Sequence, residues 1–209
     1  MEQKNGMALQ RSLTILGATG SVGKSTLDLV REQPNSFSIK GLTAHTNYKE
    51  LARLAHEFKP DTVVIADDGY YQPLKESLLG MDIAIHAGTA ALSALAAEPV
   101  DCVIGAIVGI AGLTPVYSAV QAGQKIALAN KETLVVAGHL IMPMLAKTGA
   151  SILPLDSEHN AIFQCLKGEE GAVIKNIILT ASGGPFRQMT REQMRSATRH
   201  QALQHPNWS

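Results

Sequence analysis

The stretch Leu13-Thr14-Ile15-Leu16-Gly17-Ala18-Thr19-Gly20-Ser21-Val22-Gly23 decides the fold class of this chain. Its first four residues are an apolar run typical of a buried strand, and a helical pattern of apolar residues follows the glycines. A dinucleotide-binding site requires a strand, a glycine turn and a helix in this order. Gly17 permits the tight turn, Gly20 lets the backbone approach a pyrophosphate, and Gly23 permits close helix packing. A glycine-rich turn that only packs is the alternative.

The alternation of strand and helix continues along the chain. Apolar runs at residues 37–44, 62–66, 83–86, 101–107 and 125–128 are separated by helix-length segments. Their apolar residues are continuous, which predicts strands that are buried on both faces. We therefore expect an α/β fold with a doubly wound, mostly parallel, Rossmann-type sheet. The expected domain boundary lies near residues 149–151.

Charge and hydropathy exclude several classes of partner. The chain has 18 Lys and Arg against 18 Asp and Glu, so no electrostatic argument favours nucleic acid or an anionic membrane. The longest apolar stretch, residues 134–145, is interrupted and too short to span a bilayer. The N-terminal residues are polar and carry Glu2, unlike a signal peptide. We expect a cytoplasmic protein with a small-molecule ligand.

The end of the second predicted strand bears on the choice of cofactor. An NAD site usually places an Asp or Glu here to bind the ribose hydroxyls. This chain has His45-Thr46-Asn47 instead, with Lys49 close by. Neutral side chains leave room for a 2′-phosphate, so NADP is favoured over NAD.

A polar cluster, Asp156-Ser157-Glu158-His159-Asn160, separates an apolar run from a helical pattern. Mg²⁺ and Mn²⁺ typically take one or two protein carboxylates, which makes Asp156 and Glu158 candidate metal ligands. The alternative is that Asp156 or Ser157 caps the following helix while Glu158 favours its positive end.

Ala129-Asn130-Lys131-Glu132-Thr133 repeats this arrangement after the strand at residues 125–128. One interpretation puts Asn130 and Lys131 at the mouth of the sheet beside the nicotinamide, where a cation stabilises a developing oxyanion. The other interpretation is a solvated first turn of a helix.

The C-terminal part contains four further features. Residues 173–180 are predicted to form a strand, and residues 190–204 have a polar, helical pattern. The Ser-Gly-Gly-Pro turn that begins at Ser182 suits a phosphate or is a plain surface turn. Trp208, close to His205, is either part of a lid over a ligand or a core anchor.

Together the motifs resemble the deoxyxylulose phosphate reductoisomerase family, from about Ser12 to the last residue. The motifs are the glycine turn at 17–23, Ala129-Asn130-Lys131-Glu132, the acidic cluster continued to Gln164, Ser182-Gly183-Gly184-Pro185-Phe186-Arg187 and His205-Pro206-Asn207-Trp208-Ser209. The resemblance implies an NADPH-dependent oxidoreductase of non-mevalonate isoprene biosynthesis that also needs Mg²⁺ or Mn²⁺. Such an enzyme isomerises deoxyxylulose phosphate and reduces the product to methylerythritol phosphate, and a homodimer is expected for the full-length family.

The resemblance also implies roles for matching residues. In the cofactor site, Thr19, Gly20, Ser21 and Val22 would hold the pyrophosphate, Asn130 and Glu132 would contact NADPH, and His45, Thr46 and Asn47 would lie near the 2′-phosphate. In the reaction site, Asp156 and Glu158 would hold the metal, Lys131, Ser157 and Glu158 would bind substrate, Ser182 and His205 would engage its phosphate end, and Trp208 would lie on a flap. Lys131, Asp156 and Glu158 are the expected catalytic residues.

Two departures from the family pattern affect these expectations. The family usually has Gly-Lys/Arg-Asn at the end of the second strand, so the cation expected at the 2′-phosphate is missing here. The sequence also ends about halfway through the family's length. We expect a polar extension at 1–11, an NADPH-binding domain at 12–150 and the start of an incomplete α+β catalytic domain at 151–209, cut within its flap. The third metal ligand would lie beyond Ser209, and activity at this length is expected to be weak or absent.

Two alternatives to this function stay open. A semialdehyde dehydrogenase also opens with a Gly-Ala-Thr-Gly turn, but it needs a catalytic cysteine at a strand-to-helix junction. Here Cys102 is predicted within a strand and Cys165 within a helix. The other alternative is a non-catalytic NADP-binding fragment, against which the retained acidic cluster argues.

Overall fold

A computed structural model describes residues 10–169, 174–180 and 184–204 of the chain. Within these residues, seven strands form one sheet in which every neighbouring pair is parallel. The strands are β1 (Arg11–Leu16), β2 (Phe37–Ala44), β3 (Thr62–Ile65), β4 (Ala84–Ala87), β5 (Cys102–Gly105), β6 (Lys125–Leu128) and β7 (Ser151–Pro154).

The strand order across the sheet is β4-β3-β2-β1-β5-β6-β7. From β1 the chain winds outward to β4, returns beside β1 as β5, and then winds outward to the other edge. The doubly wound α/β prediction is thus confirmed. The reversal creates a switch point between β1 and β5, where the segments that follow the two strands diverge and leave a crevice.

The helices in the described part of the chain are α1 (Ser21–Glu32), α2 (Tyr48–Phe58), α3 (Tyr71–Ser77), α4 (Gly88–Ala97), α5 (Leu113–Gln121), α6 (Glu132–Thr148), α7 (Ser157–Leu166), α8 (Arg191–Arg195) and α9 (Arg199–Leu203), with short 3-10 turns at Asp68–Tyr70, Gly109–Gly112 and Gly184–Phe186. The first six of these helices connect the strands and cover both faces of the sheet. None of the helices in the described residues is both long enough and apolar enough to cross a membrane.

The core lies on both sides of the sheet. One cluster packs α1, α2 and α3 against the strands and includes the fully buried Leu27, Leu51 and Leu74. A second cluster packs α5 and α6 against β6 and includes Ile126 and Ile141. Each such side chain contributes about 1.5–3 kcal/mol relative to an exposed one. Burial on both faces explains why the strands are continuously apolar.

The glycine turn after β1 is closely packed against its surroundings. Gly17 has a φ of +87°, and an added Cβ there would lie 2.8 Å from the carbonyl oxygen of Ala106. At Gly23 an added Cβ would lie 2.4 Å from the carbonyl oxygen of Gly17. Gly17 is therefore needed for the turn and Gly23 for the packing of α1 on that turn, as the sequence predicted.

The sheet extends beyond the predicted boundary at residues 149–151, because β7 pairs with β6. The chain divides into two compact units, Met1–Asn160 and Ala161–Ser209. The assignment of a cofactor domain and a catalytic domain to the two parts stays a prediction.

The strand prediction for residues 173–180 is wrong for the residues that the structure describes. Residues 174–180 have no regular secondary structure, and Ile174, Ile177, Ile178 and Leu179 are all exposed. A strand needs a neighbour to accept its backbone hydrogen bonds, and the described residues supply none here. Apolar composition alone was not enough.

The helical pattern at residues 190–204 folds as two short helices, α8 and α9. Thr190 caps α8 by accepting a hydrogen bond from the N–H of Gln193, and Thr198 caps α9 by accepting one from the N–H of Gln201. Thr198 therefore starts a new helix where the pattern suggested that one helix continues.

Candidate functional site

A cleft of about 480 Å³ opens at the switch point between β1 and β5. One side is formed by the backbone-rich glycine turn, and the other by apolar residues that follow β5. Such a combination suits a ligand with a flat ring and an anionic group. The lining residues that matter below are Gly17, Thr19, Gly20, Thr43, His45, Ile107, Val108 and Ile110.

The start of α1 provides the anion-binding end of this cleft. α1 begins at Ser21, and its N-cap, Gly20, has no side chain to cap the first turn. The N–H groups of this turn, including that of Val22, and the positive end of the helix dipole favour an anionic ligand. An added Cβ at Gly20 would contact only the carbonyl oxygen of Gly17, at 3.4 Å, so internal packing does not require this glycine.

Thr43 supports the glycine turn, and the sequence did not indicate it. Its side chain is buried, and its Oγ1 accepts a hydrogen bond from the N–H of Gly17 at 2.9 Å. A threonine in a strand is normally explained by its preference for extended backbone, so no signal in the sequence marked it.

The end of β2 brings His45 into the cleft. Asn47 has a different task, because its Oδ1 caps α2 by accepting a hydrogen bond from the N–H of Glu50 at 3.2 Å. The carbonyl oxygen of Thr46 accepts from the N–H of Tyr48 at 2.8 Å. Of the three residues predicted near a 2′-phosphate, His45 is the one that lines the cleft.

A second cluster lies after β6 and β7. The Nζ of Lys131 donates a hydrogen bond to Oδ2 of Asp156 at 2.5 Å, with side-chain exposures of 51% and 9% respectively. The hydrogen bond from Lys131 lowers the pKa of Asp156 despite the opposing effect of burial, and the same bond raises the pKa of Lys131. Both groups are therefore charged at neutral pH.

The acidic cluster offers carboxylate oxygens to a divalent cation. Oδ1 of Asp156 is buried and has no partner at hydrogen-bond geometry within the described residues, while Nδ1 of His159 lies 3.8 Å from it. The backbone N–H of His159 also interacts with the Asp156 carboxylate and helps to lower its pKa, as expected for a residue that caps α7. The negative charge of Glu158 also raises the pKa of Lys131, so both carboxylates act on the same ammonium group. A buried carboxylate oxygen without a close hydrogen-bond partner suits a hard divalent ion, which would compete with the Lys131 ammonium group for this carboxylate. The described residues contain no group of three His, Cys, Asp or Glu side chains able to hold one, so the fit concerns two ligands.

Asn130 is almost completely buried, and its side chain bonds to the protein itself. Its Nδ2 donates to the carbonyl oxygens of Ile107 at 2.5 Å and Gly109 at 2.6 Å, and its Oδ1 accepts from the N–H of Thr133 at 3.0 Å. The sequence placed this residue beside the cofactor but did not indicate these contacts.

The remaining predicted residues are exposed or lie outside the described part. Glu132 is exposed at the start of α6, and Ser157 is exposed at the start of α7. Ser182, His205 and Trp208 are outside the described residues.

The cysteines do not form the site that a semialdehyde dehydrogenase needs. Cys102 is the first residue of β5, at the opposite end of the strand from the cleft, and burial raises the pKa of its thiol. Cys165 lies within α7 and is exposed. Neither cysteine lies at a strand-to-helix junction. The raised pKa of Cys102 also opposes formation of a thiolate.

Comparison with known proteins gives consistent matches. The family model described as 1-deoxy-D-xylulose 5-phosphate reductoisomerase matches residues 13–138, and the model of the C-terminal domain of the same family matches residues 152–209. Reductoisomerases from a Bradyrhizobium species and from Bacteroides fragilis are each 48% identical to the chain, over 99% and 95% of its length. They are covered to 51% and 52%, so the chain spans about half the length of the curated relatives it matches.

Solved structures agree with these matches. The reductoisomerase of Zymomonas mobilis in complex with NADPH has a TM-score of 0.84 and 44% identity, covering 94% of this chain and 52% of that one. A reductoisomerase in complex with NADPH, fosmidomycin and magnesium has a TM-score of 0.79 and 43% identity, covering 95% of this chain and 52% of that one.

Proposed function

This chain belongs to the 1-deoxy-D-xylulose 5-phosphate reductoisomerase family, and on that premise we propose that it supplies the NADPH site and two metal ligands of such an enzyme. The reaction would be the isomerisation of deoxyxylulose phosphate followed by reduction to methylerythritol phosphate. Because the chain covers about half of each relative, the proposal concerns what these residues contribute to that activity.

The observation that carries the proposal is that two clusters both lie at the carboxyl ends of the strands. The glycine turn and the cleft follow the carboxyl ends of β1 and β5, while Lys131 and Asp156 follow those of β6 and β7. In open parallel sheets, ligands bind in the crevice beyond the carboxyl ends of the strands. A nicotinamide in the cleft and a substrate at the Lys131–Asp156 pair would then lie along the same crevice.

The residues of the cofactor site would act by positioning. Thr19, Ser21 and Val22 would present backbone N–H groups and the start of α1 to the pyrophosphate. The N–H of Gly20 already donates to the carbonyl oxygen of Gly17 at 3.1 Å, so Gly20 would contribute by letting the backbone approach the pyrophosphate closely. His45 and Thr46 would lie towards the ribose, and the absence of an acidic residue there favours a 2′-phosphate. The apolar wall after β5 would exclude water from the nicotinamide.

The residues of the reaction site would act through charge. Asp156 and Glu158 would hold Mg²⁺ or Mn²⁺, which polarises carbonyl oxygens and stabilises oxyanions when bound. The protonated Lys131 would bind an anionic or carbonyl oxygen of the substrate, and Ser157 would offer a hydroxyl beside it. Ser182 and His205 are proposed for the phosphate end of the substrate on the family resemblance alone.

Titration of NADPH fluorescence tests the cofactor site. Gly20→Ala adds a methyl group that would contact only the carbonyl oxygen of Gly17, at 3.4 Å. The variant should therefore keep the fold. The methyl group would meet the pyrophosphate, and we expect the Kd for NADPH to rise at least tenfold. Gly138→Ala is the matched control, because an added Cβ there meets nothing within 4 Å. Equal NADPH affinity in wild type and Gly20→Ala would refute the proposed cofactor site.

Mn²⁺ binding tests the metal site without any need for enzymatic turnover. It is measured by the decrease in the EPR signal of free Mn²⁺. Asp156→Asn and Glu158→Gln should each weaken binding, because hard cations prefer charged oxygen ligands. The exposed Asp82→Asn serves as the control. Unchanged Mn²⁺ affinity in Asp156→Asn would exclude that residue as a ligand. The homodimer, the substrate and the cytoplasmic location stay predictions.

A further inference from the structure

The side chain of Asn130 joins two parts of the cleft edge that are far apart in sequence. Asn130 follows β6, whereas the carbonyl groups it binds belong to Ile107 and Gly109, which follow β5. The residue is only 4% exposed. Buried side-chain amide groups nearly always have hydrogen-bond partners, and Asn130 has them on both segments.

The hydrogen-bonding groups of this side chain are already in use. Both N–H groups of Nδ2 have a carbonyl acceptor, and Oδ1 accepts from the N–H of Thr133 in the first turn of α6. An amide side chain has two donor hydrogens, so no donor is left for a ligand. A direct contact between the Asn130 amide N–H groups and a cofactor would require breaking a bond to the 107–109 backbone.

The backbone segment that Asn130 holds is the apolar wall of the cleft. Ile107, Val108 and Ile110 line the cleft, and Val108 is 86% exposed. Gly109 has a φ of +69°, a conformation that few other residues adopt. Ile107 is half-buried and packs against the second core cluster, but Val108 and Ile110 are exposed and gain little from packing. The two hydrogen bonds from Asn130 therefore add a restraint to a segment that packing holds only at Ile107.

Gly112 provides independent support for this restraint. A Cβ added at Gly112 would lie 2.6 Å from Nδ2 of Asn130 and 2.9 Å from the carbonyl oxygen of Ile107. The backbone of this segment therefore passes so close to the Asn130 amide that only a glycine fits. The fit therefore joins two parts of the chain, residues 107–112 and residue 130.

We propose that Asn130 is a positioning residue that holds residues 107–109 in the shape that receives the nicotinamide end of the cofactor, and that its amide N–H groups do not bind the cofactor themselves. This inference rests on the proposed NADPH site for its functional consequence. The restraint on residues 107–112 is a property of the free protein and can be measured without any ligand.

Hydrogen exchange of the free protein, followed by mass spectrometry of peptides that cover residues 106–112, tests the restraint. Asn130→Ala should speed exchange in these peptides at least tenfold, and Asn130→Asp should do the same. The Asp variant keeps an acceptor for the N–H of Thr133 but loses both donors. Asn130→Asp with wild-type exchange would show that capping of α6 is the only role, and the proposal would be overturned.

Gln124→Ala is the matched control for these variants. Gln124 is also a buried amide, and its Nε2 likewise donates to two backbone carbonyl oxygens, those of Ala97 and Glu98, at the other end of β6. This variant should lose stability without changing exchange at residues 106–112. If Gln124→Ala speeds exchange there as much as Asn130→Ala does, the effect is general destabilisation and the proposal fails.

NADPH titration then separates positioning from direct contact. We expect Asn130→Ala and Gly112→Ala each to raise the Kd about tenfold, because both release the same segment. The double variant should be little worse than either single one. A direct ligand would instead give a loss in Asn130→Ala with wild-type exchange of the free segment. Absence of NADPH binding in wild type would refute the proposed function and leave the exchange result standing.

Discussion

Lys131 and Asp156 follow neighbouring strands, β6 and β7, and their side chains form an ion pair with 2.5 Å between Nζ and Oδ2. They are 25 residues apart in sequence and meet because the parallel pairing of these strands brings their carboxyl ends together. The ammonium group compensates a carboxylate that is 9% exposed. Asp156 is a proposed metal ligand and Lys131 a proposed substrate-binding residue, so the pair would join the two proposed sites.

The first prediction concerns the stability that this pair contributes. Lys131→Met removes the positive charge and leaves the Asp156 carboxylate without its partner. Because Lys131 is half exposed and water screens the pair, we expect a loss of no more than about 1 kcal/mol in the free energy of unfolding by urea. In an Asp156→Asn background the same substitution should cost less. A double-mutant cycle that gives no coupling energy would contradict the ion pair.

The second prediction concerns the pH dependence of stability. The folded state lowers the pKa of Asp156, chiefly through the Lys131 hydrogen bond. The resulting stabilisation is present above the unfolded pKa, near 3.9, and is lost as pH falls through the lower folded pKa. Asp156→Asn should therefore be less stable than wild type at pH 7, and the difference should shrink below about pH 4. Thermal melts at a series of pH values measure it, and a constant difference down to pH 2 would contradict the shift.

The third prediction separates two glycines of the turn. At Gly23 an added Cβ would lie 2.4 Å from the backbone oxygen of Gly17, whereas at Gly20 it would lie 3.4 Å from the same atom. Gly23→Ala should lower the free energy of unfolding by about 1–3 kcal/mol, because backbone atoms have to shift. Gly20→Ala should leave it nearly unchanged. Urea unfolding of both variants measures these changes. Equal losses of unfolding free energy in the two variants would contradict the difference in packing between Gly20 and Gly23.

The fourth prediction concerns the choice between NADPH and NADH. His45 lines the cleft at the end of β2, where NAD sites carry an acidic residue. His45→Asp should weaken NADPH binding by repelling the 2′-phosphate, and should improve NADH binding by accepting ribose hydroxyl groups. The ratio of the two Kd values is the measurement, with the exposed His139→Asp as the control. An unchanged ratio would mean that the 2′-phosphate lies elsewhere.

Local patterns in the sequence determined the fold class and the glycine turn beside the cleft. The apolar runs predicted β2 and β6 with their observed bounds, and the glycines predicted a tight turn at Gly17 and close packing at Gly23. These features were readable because they depend on the few residues around them. Continuous apolar residues require a strand covered on both faces, and a sharp turn requires a residue without a side chain.

Only the tertiary structure decided which distant residues meet. The pairing of β7 with β6, the ion pair of Lys131 with Asp156, the bond from Gly17 to Thr43 and the attachment of Asn130 to residues 107–109 all depend on strand order and register. The apolar run at residues 174–180 shows the same limit, because its pattern was that of a strand but a strand exists only with a neighbour. Backbone hydrogen bonds across a sheet join residues whose separation in sequence leaves no periodic signal.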